Sequence, residues 1–253
     1  MKRPFFILGC VRSGTTFLRN VLRRHPNLAA PEETHFYRWA DPFGTPTYSK
    51  ALIGNKTLIR HRELDGITES TFRRLLEKSR SKADLYRRYM RHYIAKAKPE
   101  ANRWFDKTPQ NVFGAALLAS EFPGSKLIHI VRDPMDVVSS LKVGKIMHIP
   151  QVVGACNYWI EAIEIMSVLK KAYPKRVYEV RYEDLTGDLD GHLRTLLAYL
   201  GEDYDAEAYS DVVAAPKHHE YEGLFSEEEI AEIRTLCGKH GAAYGYLQKQ
   251  DRV

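Results

Sequence analysis

The sequence has few cysteines, and their arrangement does not suggest cross-links. Cys10, Cys156 and Cys237 are odd in number, far apart and outside any CxxC or Cys/His cluster. This pattern argues against a disulfide framework and against a structural zinc site. We expect all three to be ordinary thiols, and no metal is expected in the functional site.

Long apolar runs are also missing. No run approaches the roughly 20 residues that a membrane-spanning helix needs, and the stretch from Phe5 to Leu8 is too short for the core of a signal peptide. We therefore expect a cytoplasmic protein without a membrane span. With 253 residues, 44% hydrophobic and 28% charged, the composition suits one large α/β domain over 1–253.

Basic residues outnumber acidic ones, and the excess is concentrated in one stretch of the chain. The chain carries a formal net charge of +6, and residues 50–100 contain 14 Lys and Arg against six Asp and Glu. A basic surplus favours anionic partners. The arginines of this stretch either form a cradle for an anionic acceptor or lie on the solvated faces of helices: Arg73, Arg74, Arg80, Arg87, Arg88 and Arg91. Interleaved aromatics are few, so nucleic acid is not expected as a partner.

Short β-prone segments alternate with helical ones along the chain. The β-prone segments are 5–8, 103–105, 126–131 and 176–181, with a very short one at 28–30. This alternation predicts an α/β fold with a central parallel sheet flanked by helices. The main helices are predicted over 15–24, from Pro134 with Asp133 as its cap, over 152–172, and after the capping box at Ser226.

Residues 41–100 interrupt the alternation. Two helices are predicted there, over 71–80 and 83–97, before the next strand begins. In open α/β sheets, ligands bind beyond the carboxyl ends of the strands. We therefore predict that 41–100 is a helical insertion on the acceptor side of the sheet.

A phosphate-binding loop follows the first predicted strand. Gly9 to Gly14 leads into a helix that begins at Thr15, so backbone N–H groups converge on one anion site. The Walker form of this loop requires lysine where the chain has Thr15, which argues against triphosphate chemistry. The candidate anion ligands are instead Arg12, Ser13, Gly14, Thr15 and Thr16.

These motifs resemble the sulfotransferases that use 3′-phosphoadenosine 5′-phosphosulfate (PAPS), particularly the branch with the tyrosylprotein and Golgi-type carbohydrate enzymes. The likeness rests on RSGTT at 12–16, HP at 25–26, EET at 32–34, DKTP at 106–109, VRDPMDVVSS at 131–140 and RYEDL at 181–185. It extends to about residue 200 and is weak between 41 and 100. The resemblance implies a sulfotransferase-type fold and PAPS as co-substrate, with 3′-phosphoadenosine 5′-phosphate (PAP) as product.

The resemblance also implies two anion sites for the nucleotide. RSGTT corresponds to the 5′-phosphosulfate loop, and Arg132 and Ser140 correspond to the residues that hold the 3′-phosphate. Without the resemblance, Arg132 is equally a partner of Asp133 or Asp136. Tyr182 lies near the adenine or the 3′-phosphate, or simply packs at a strand end. The basic run at 217–219 falls where the family brings a C-terminal segment over the nucleotide, although a solvated loop is the simpler interpretation.

The reacting centre is expected at three side chains. By resemblance, Glu33 is the base that removes the acceptor proton, with His35 as the rival base and Glu32 in a structural role. Lys107, together with Arg12, is expected to stabilise charge on the transferring group and the leaving phosphate. No side chain has the spacing of a nucleophile and its base, so we predict direct in-line displacement onto an acceptor hydroxyl.

The acceptor and two rival functions stay open at this stage. A carbohydrate, a lipid, a secondary metabolite or a tyrosyl peptide, each possibly anionic, is compatible with the sequence. One rival is a phosphotransferase that uses the same loop for ATP, and the other is a nucleotide-binding module without chemistry. A module would be indifferent to the substitutions Glu33→Gln and Lys107→Ala, whereas an enzyme would lose turnover.

Overall fold

A computed structural model describes residues 1–145, 147–214, 221 and 223–247. The run at 217–219, predicted as a solvated loop or a nucleotide cover, lies outside the described residues. Five parallel strands form one sheet, with the bounds β1 Phe5–Leu8, β2 Leu28–Ala29, β3 Arg103–Lys107, β4 Lys126–Val131 and β5 Val177–Arg181. Their order across the sheet is β2-β3-β1-β4-β5. The predicted α/β class with a central parallel sheet is therefore correct.

The strand register brings the functional motifs to one edge of the sheet. Ile7 of β1 pairs with Lys107 of β3 and with Ile128 of β4, and Val131 of β4 pairs with Arg181 of β5. Because all strands run in the same direction, their carboxyl ends lie at a common edge. The loop after β1, Lys107, Arg132 and Tyr182 all occur at these ends.

Helices cover both faces of the sheet, and the alternation of side chains in β1 explains why. Phe5 and Ile7 belong to one buried cluster, which contains α1 (Thr15–Leu22), α9 (Tyr182–Gly187) and α10 (Leu189–Leu200). Phe6 and Leu8 belong to the other cluster, which contains α6 (Ala115–Glu121), α7 (Pro134–Lys142), α8 (Val152–Ala172) and α11 (Glu227–Ala242). A central strand buried on both faces is typical of a parallel sheet.

Residues 41–100 form four helices, not the two that the sequence predicts. They are α2 Pro46–Ile53, α3 Lys56–Leu64, α4 Glu69–Lys78 and α5 Lys82–Ala97. The two unpredicted helices are short, and their caps are local: the Thr45 side chain accepts from Tyr48 N, and Asn55 accepts from Thr57 N and Leu58 N. Tyr48, Leu58 and Phe72 join the same apolar cluster as Phe6, so the insertion packs onto the domain core.

Helix α8 has the bounds predicted from the sequence, and it is long and apolar. Within the described ranges it is the one helix whose length and composition would allow it to cross a membrane. Its buried face, which includes Trp159 and Met166, lies in the core cluster with residues of α7 and α11.

Two predicted caps are also present: Asp133 accepts from Met135 N at 2.8 Å, and Ser226 and Glu229 form the capping box.

Candidate active site

The loop after β1 has the backbone shape of an anion cradle. Arg12 and Gly14 both have positive φ, 68° and 85°, and α1 begins at Thr15 with no side-chain cap. Its first amides are therefore not satisfied by a side chain and face the loop. Ser13 is fully buried, and its hydroxyl has no hydrogen-bond partner among the described atoms.

The predicted 3′-phosphate residues lie directly beside this loop. Arg12 Nε donates to Ser140 Oγ at 2.7 Å, although the two residues are 128 positions apart. Arg132 Nη1 donates to the carbonyl oxygen of Arg12 at 3.2 Å, and Arg132 Nη2 lies 3.4 Å from Asp136 Oδ2. The structure thus joins the loop, the end of β4 and α7 in one basic cluster.

Tyr182 connects the same two features. The guanidinium carbon of Arg132 lies over the Tyr182 ring, 4.8 Å from the ring centroid. A Cβ placed on Gly14 would come within 2.2 Å of the Tyr182 ring. Glycine is therefore required at position 14 both by the positive φ and by the close approach of this ring.

A second cluster forms around Glu33 at the carboxyl end of β3. Lys107 Nζ donates to Glu33 Oε1 and, at 3.0 Å, to the hydroxyl of Thr16. On the other side, His35 Nε2 lies 3.2 Å from Glu33 Oε2. The structure therefore brings together the candidate base, the candidate cation and the start of α1, which lie far apart in the sequence.

The electrostatics of this cluster are set by burial and by mutual pairing. Burial alone would raise the pKa of Glu33, but the hydrogen bond from His35 and the charge of Lys107 lower it to about 2. Burial lowers the pKa of Lys107 despite the adjacent carboxylate. Burial also lowers the pKa of His35, which favours a neutral imidazole that donates from Nε2 to Glu33.

Arg12 lies in the first cluster, not in the second. Its guanidinium contacts Ser140, whereas Lys107 is the cation in contact with Glu33. Arg12 is exposed, so its side chain has room to move. Its assignment to the transferring group stays a prediction, and so does that of every other residue of the two clusters.

Glu33 is held in place by neighbouring contacts whose partners were not predicted from the sequence. Glu32, expected to be structural, accepts from Arg19 at 2.5 Å and from Arg23 at 2.9 Å. His61 of α3 has its Nδ1 3.1 Å from the carbonyl oxygen of Glu33, and its ring stacks on His35 at 6.0 Å. Such contacts depend on the tertiary fold, and only the charge complementarity of Glu32 with the basic face of α1 is visible in the sequence.

The insertion arginines are divided among several places. Arg88 pairs with Asp84, and Arg73 lines a cavity between α2 and α4. Arg87 and Arg91 lie beside Trp104 and Phe122, toward the amino ends of the strands. Of the two alternatives, a single cradle formed by all these arginines is therefore not what the structure shows.

Comparison with known proteins gives a consistent result. A family model described as "Sulfotransferase family" matches residues 4–206. The omega-hydroxy-beta-dihydromenaquinone-9 sulfotransferase Stf3 of Mycobacterium tuberculosis is 34% identical over 109 residues, which cover 38% of this chain and 28% of that protein. Each match to a curated relative covers between 25% and 30% of the relative's own length.

Solved structures share the fold at low sequence identity. The sulfotransferase domain of the Synechococcus PCC 7002 olefin synthase superposes with a TM-score of 0.69 at 21% identity, covering 92% of this chain and 94% of that domain. Mouse sulfotransferase SULT7A1, solved as a complex with PAP, gives a TM-score of 0.52 at 13% identity, covering 94% of this chain and 84% of that chain. At these identities, the likeness establishes the fold.

Proposed function

Because this chain belongs to the sulfotransferase family, we propose that it transfers a sulfuryl group from PAPS to the hydroxyl of an acceptor by direct in-line displacement. The observation that carries this proposal is the contact of Lys107 with both Glu33 and Thr16 at the carboxyl edge of the sheet. A base, a cation and a phosphate loop then meet at one place, as the reaction requires.

The loop and the basic cluster beside it suit a nucleotide with two separate phosphate groups. Ser13 offers a buried hydroxyl without a partner, and Gly14 leaves room where a Cβ would strike Tyr182. We assign the 5′ group to the loop from Arg12 to Thr16 and the 3′-phosphate to Arg132 and Ser140, with Tyr182 beside them. The PAP complex of the mouse relative supports a nucleotide of this kind.

When bound, PAPS supplies an activated sulfuryl group whose S–O bond to the 5′-phosphate is broken in the reaction. The acceptor oxygen forms the new bond to sulfur, its proton passes to Glu33, and the electron pair of the broken bond leaves with PAP. Lys107 is placed to stabilise the charge that develops on the leaving phosphate. Arg12 is the second candidate for this role because its exposed side chain belongs to the same loop.

The low pKa of Glu33 fits this scheme only if Lys107 interacts with the Glu33 carboxylate before the reaction and with the leaving phosphate during it. In the structure, the hydrogen bond from His35 and the charge of Lys107 stabilise the carboxylate against the effect of burial, and the low pKa makes it a weak base. As negative charge builds up on the leaving phosphate, we expect Lys107 to be drawn towards it and to release part of its hold on Glu33. The basicity of Glu33 would then rise when the acceptor proton must be removed.

The acceptor belongs to the broad class of hydroxyl compounds. The mycobacterial relative is named for a hydroxylated menaquinone derivative, which is an example of an apolar acceptor. We propose that the acceptor enters between residues 41–100 and the carboxyl edge of the sheet, because His61 of that insertion contacts the backbone of Glu33.

The proposal is tested by following ³⁵S from labelled PAPS into a panel of sugar, phenol, tyrosyl-peptide and long-chain alcohol acceptors. We expect label in at least one class, with release of one PAP per transfer, and loss of transfer in the Lys107→Ala variant. Binding of PAP without turnover on any acceptor would favour the non-catalytic module. Transfer from Mg·ATP would favour the phosphotransferase.

A further inference from the structure

A groove lies at the edge of the sheet opposite the candidate active site. It is formed between α5 and the segment that precedes β1, and its volume is about 430 Å³. Its lining includes Arg3, Arg87, Arg91, Trp104, Phe122 and Pro123. We call these six residues the amino-end groove, because Arg3 precedes β1 and Trp104 is near the amino end of β3.

The amino-end groove carries a surplus of positive charge. Arg3, Arg87 and Arg91 are exposed, and none of them pairs with a carboxylate within the part of the chain that the structure describes. The Arg87 guanidinium lies 4.9 Å from the centre of the Phe122 ring and donates to the carbonyl oxygen of Glu121 at 3.2 Å. The Arg3 side chain lies against Gly124, because its Nη1 is 2.4 Å from the position that a Cβ on Gly124 would occupy.

Two acidic side chains close to Arg87 in the structure have other partners, and one of them, Asp84, pairs with Arg88 at 3.0 Å. Glu121 accepts a hydrogen bond from the hydroxyl of Tyr37. The neighbouring cation Lys2 is paired with Glu202 at 2.9 Å, so it contributes less to the local field than the three arginines. Uncompensated guanidinium groups on one concave surface attract carboxylate or phosphate oxygens.

The floor of the amino-end groove is apolar. Trp104 and Phe122 are 5% and 4% exposed, so their ring faces are too covered to stack on nucleic-acid bases. A ligand with both acceptor oxygens and apolar groups would therefore match this floor and rim.

We propose that the amino-end groove binds a short acidic segment of a partner protein, in which carboxylates alternate with apolar side chains. Arg87 and Arg91 are four residues apart on α5 and so lie on one helix face, with Arg3 on the other side of the groove. This spacing lets carboxylates be held on both rims while apolar side chains contact the exposed Pro123.

A peptide segment fits better than the other anionic ligands. The surface is concave, whereas a bilayer presents a broad and nearly flat surface. Small-anion pockets usually contain buried polar groups that point at the ligand, but the buried Ser125 hydroxyl here already donates to the Phe122 carbonyl. Since a groove of this size contacts only a few residues, the interaction is expected to be weak and transient.

Docking at this groove would not obstruct the candidate chemistry. The groove lies at the amino ends of the strands, and the cluster of Lys107 and Glu33 lies at their carboxyl ends. A bound partner would leave the nucleotide loop and the acceptor route accessible. The proposal therefore does not depend on the identity of the reaction.

The test measures fluorescence anisotropy of a labelled heptapeptide with four glutamates and three leucines, at low salt, on the intact protein. We expect saturable binding, at least tenfold weaker for the double variant Arg87→Glu/Arg91→Glu and for a peptide with glutamine in place of glutamate. The matched control is Arg74→Glu/Lys78→Glu, which makes the same charge change at the same spacing on exposed positions of α4. Its affinity should stay within twofold of the unmodified protein.

Four outcomes would overturn the proposal. They are no binding at millimolar peptide, equal weakening by both double variants, equal binding of the glutamate and glutamine peptides, and stronger binding to phosphatidylserine vesicles or inorganic phosphate than to the acidic peptide. Circular dichroism of both double variants verifies that they are folded. Sulfuryl transfer to a free acceptor should be unchanged in Arg87→Glu/Arg91→Glu, because neither arginine is near Lys107 or Glu33.

Discussion

Glu33 has two partners with opposite chemical character, and its role depends on both. His35 is a neutral donor by virtue of its lowered pKa, while Lys107 is a buried ammonium group that also contacts Thr16. The carboxylate is therefore well stabilised before substrates bind. As the proposed base, Glu33 would require a change in the Lys107 contact during the reaction.

Substitution of Glu33 by glutamine should separate catalysis from binding. Without the carboxylate no base is left to accept the acceptor proton, so kcat should fall about 10²- to 10⁴-fold. PAP affinity should stay within about tenfold, or ~1.4 kcal/mol. Steady-state kinetics and calorimetry of the same preparation measure both quantities.

The variant His35→Gln serves as the control for the rival base. If Glu33 is the base, His35→Gln should reduce kcat much less than Glu33→Gln and should shift the acid limb of the pH profile. A greater loss in His35→Gln than in Glu33→Gln would instead assign the proton to the imidazole.

The low pKa of Glu33 also predicts how stability changes with pH. An acid whose folded pKa, about 2, lies below its ordinary value of 4.5 stabilises the fold above pH 4.5, and this stabilisation is lost as the pH falls towards 2. The shift corresponds to on the order of 3 kcal/mol. Urea unfolding of the protein and of Glu33→Gln should therefore differ most above pH 5, and the difference should narrow at lower pH. A difference that is constant down to pH 3 would contradict the low pKa.

Gly14 offers a test of the nucleotide loop with an internal control. Gly14 and Gly44 have the same φ of 85°, but a Cβ would strike Tyr182 only at position 14, since nothing lies within 4 Å at position 44. Both alanine variants should lose about 1 kcal/mol of stability from the backbone. Only Gly14→Ala should also weaken PAP binding, by at least tenfold in calorimetry. Equal affinities of the two variants would argue against Tyr182 and the loop as parts of one site.

At the scale of elements, the insertion and the base-bearing segment are joined through Asp65. This residue ends α3, and its carboxylate accepts from Glu32 N at 2.8 Å and from the hydroxyl of Tyr89 in α5 at 2.6 Å. Two helices of the insertion therefore hold the backbone next to Glu33. The position of the candidate base, Glu33, therefore depends on residues 41–100 as well as on the sheet.

Replacing Asp65 by alanine should loosen this connection. The substitution leaves the buried hydroxyl of Tyr89 and the amide of Glu32 without acceptors, which should cost about 2–4 kcal/mol of unfolding free energy. We expect kcat to fall at least tenfold while PAP affinity is unchanged, because the nucleotide loop is not part of the connection. A parallel loss of PAP affinity would mean that the variant disturbs the whole fold.

The elements that could be predicted from the sequence are those with strong local signals. The bounds of β1, β4 and α8 follow from short apolar runs and a long amphipathic pattern, and the cap at Asp133 follows from its position before Pro134. Helices α2 and α3 are only eight and nine residues long. Their apolar pattern covers two turns, which is too little for periodicity to identify without the tertiary contacts of Tyr48 and Leu58.

The motifs of the candidate site could be predicted from the sequence, but the contacts between their residues could not. Each motif lies next to a strand end, so the common edge of a parallel sheet brings them close together. The bond between Arg12 and Ser140 depends on the exact path of the loop and α7, and that of Lys107 with Thr16 depends on how α1 packs. The spacing of these residues in the sequence does not determine these long-range contacts.

At the scale of the whole molecule, the basic surplus has more than one location. One part lies at the carboxyl edge of the sheet, in Arg12, Arg132 and Lys107 around the loop after β1. Another part lies at the amino-end groove on the opposite edge. The net charge of +6 alone would not distinguish a nucleotide site from a docking surface.

We propose that the protein selects a nucleotide by its 3′-phosphate. Calorimetric titration of the protein with PAP, with 5′-AMP and Mg·ATP as comparators, measures this selectivity. We expect PAP to bind at least tenfold more tightly than 5′-AMP, because Arg132 and Ser140 would add charge-assisted hydrogen bonds to the extra phosphate. We also expect Mg·ATP to bind more weakly than PAP, since Thr15 stands in place of the Walker lysine. Equal or stronger binding of Mg·ATP would rule out selection by the 3′-phosphate and favour a phosphotransferase.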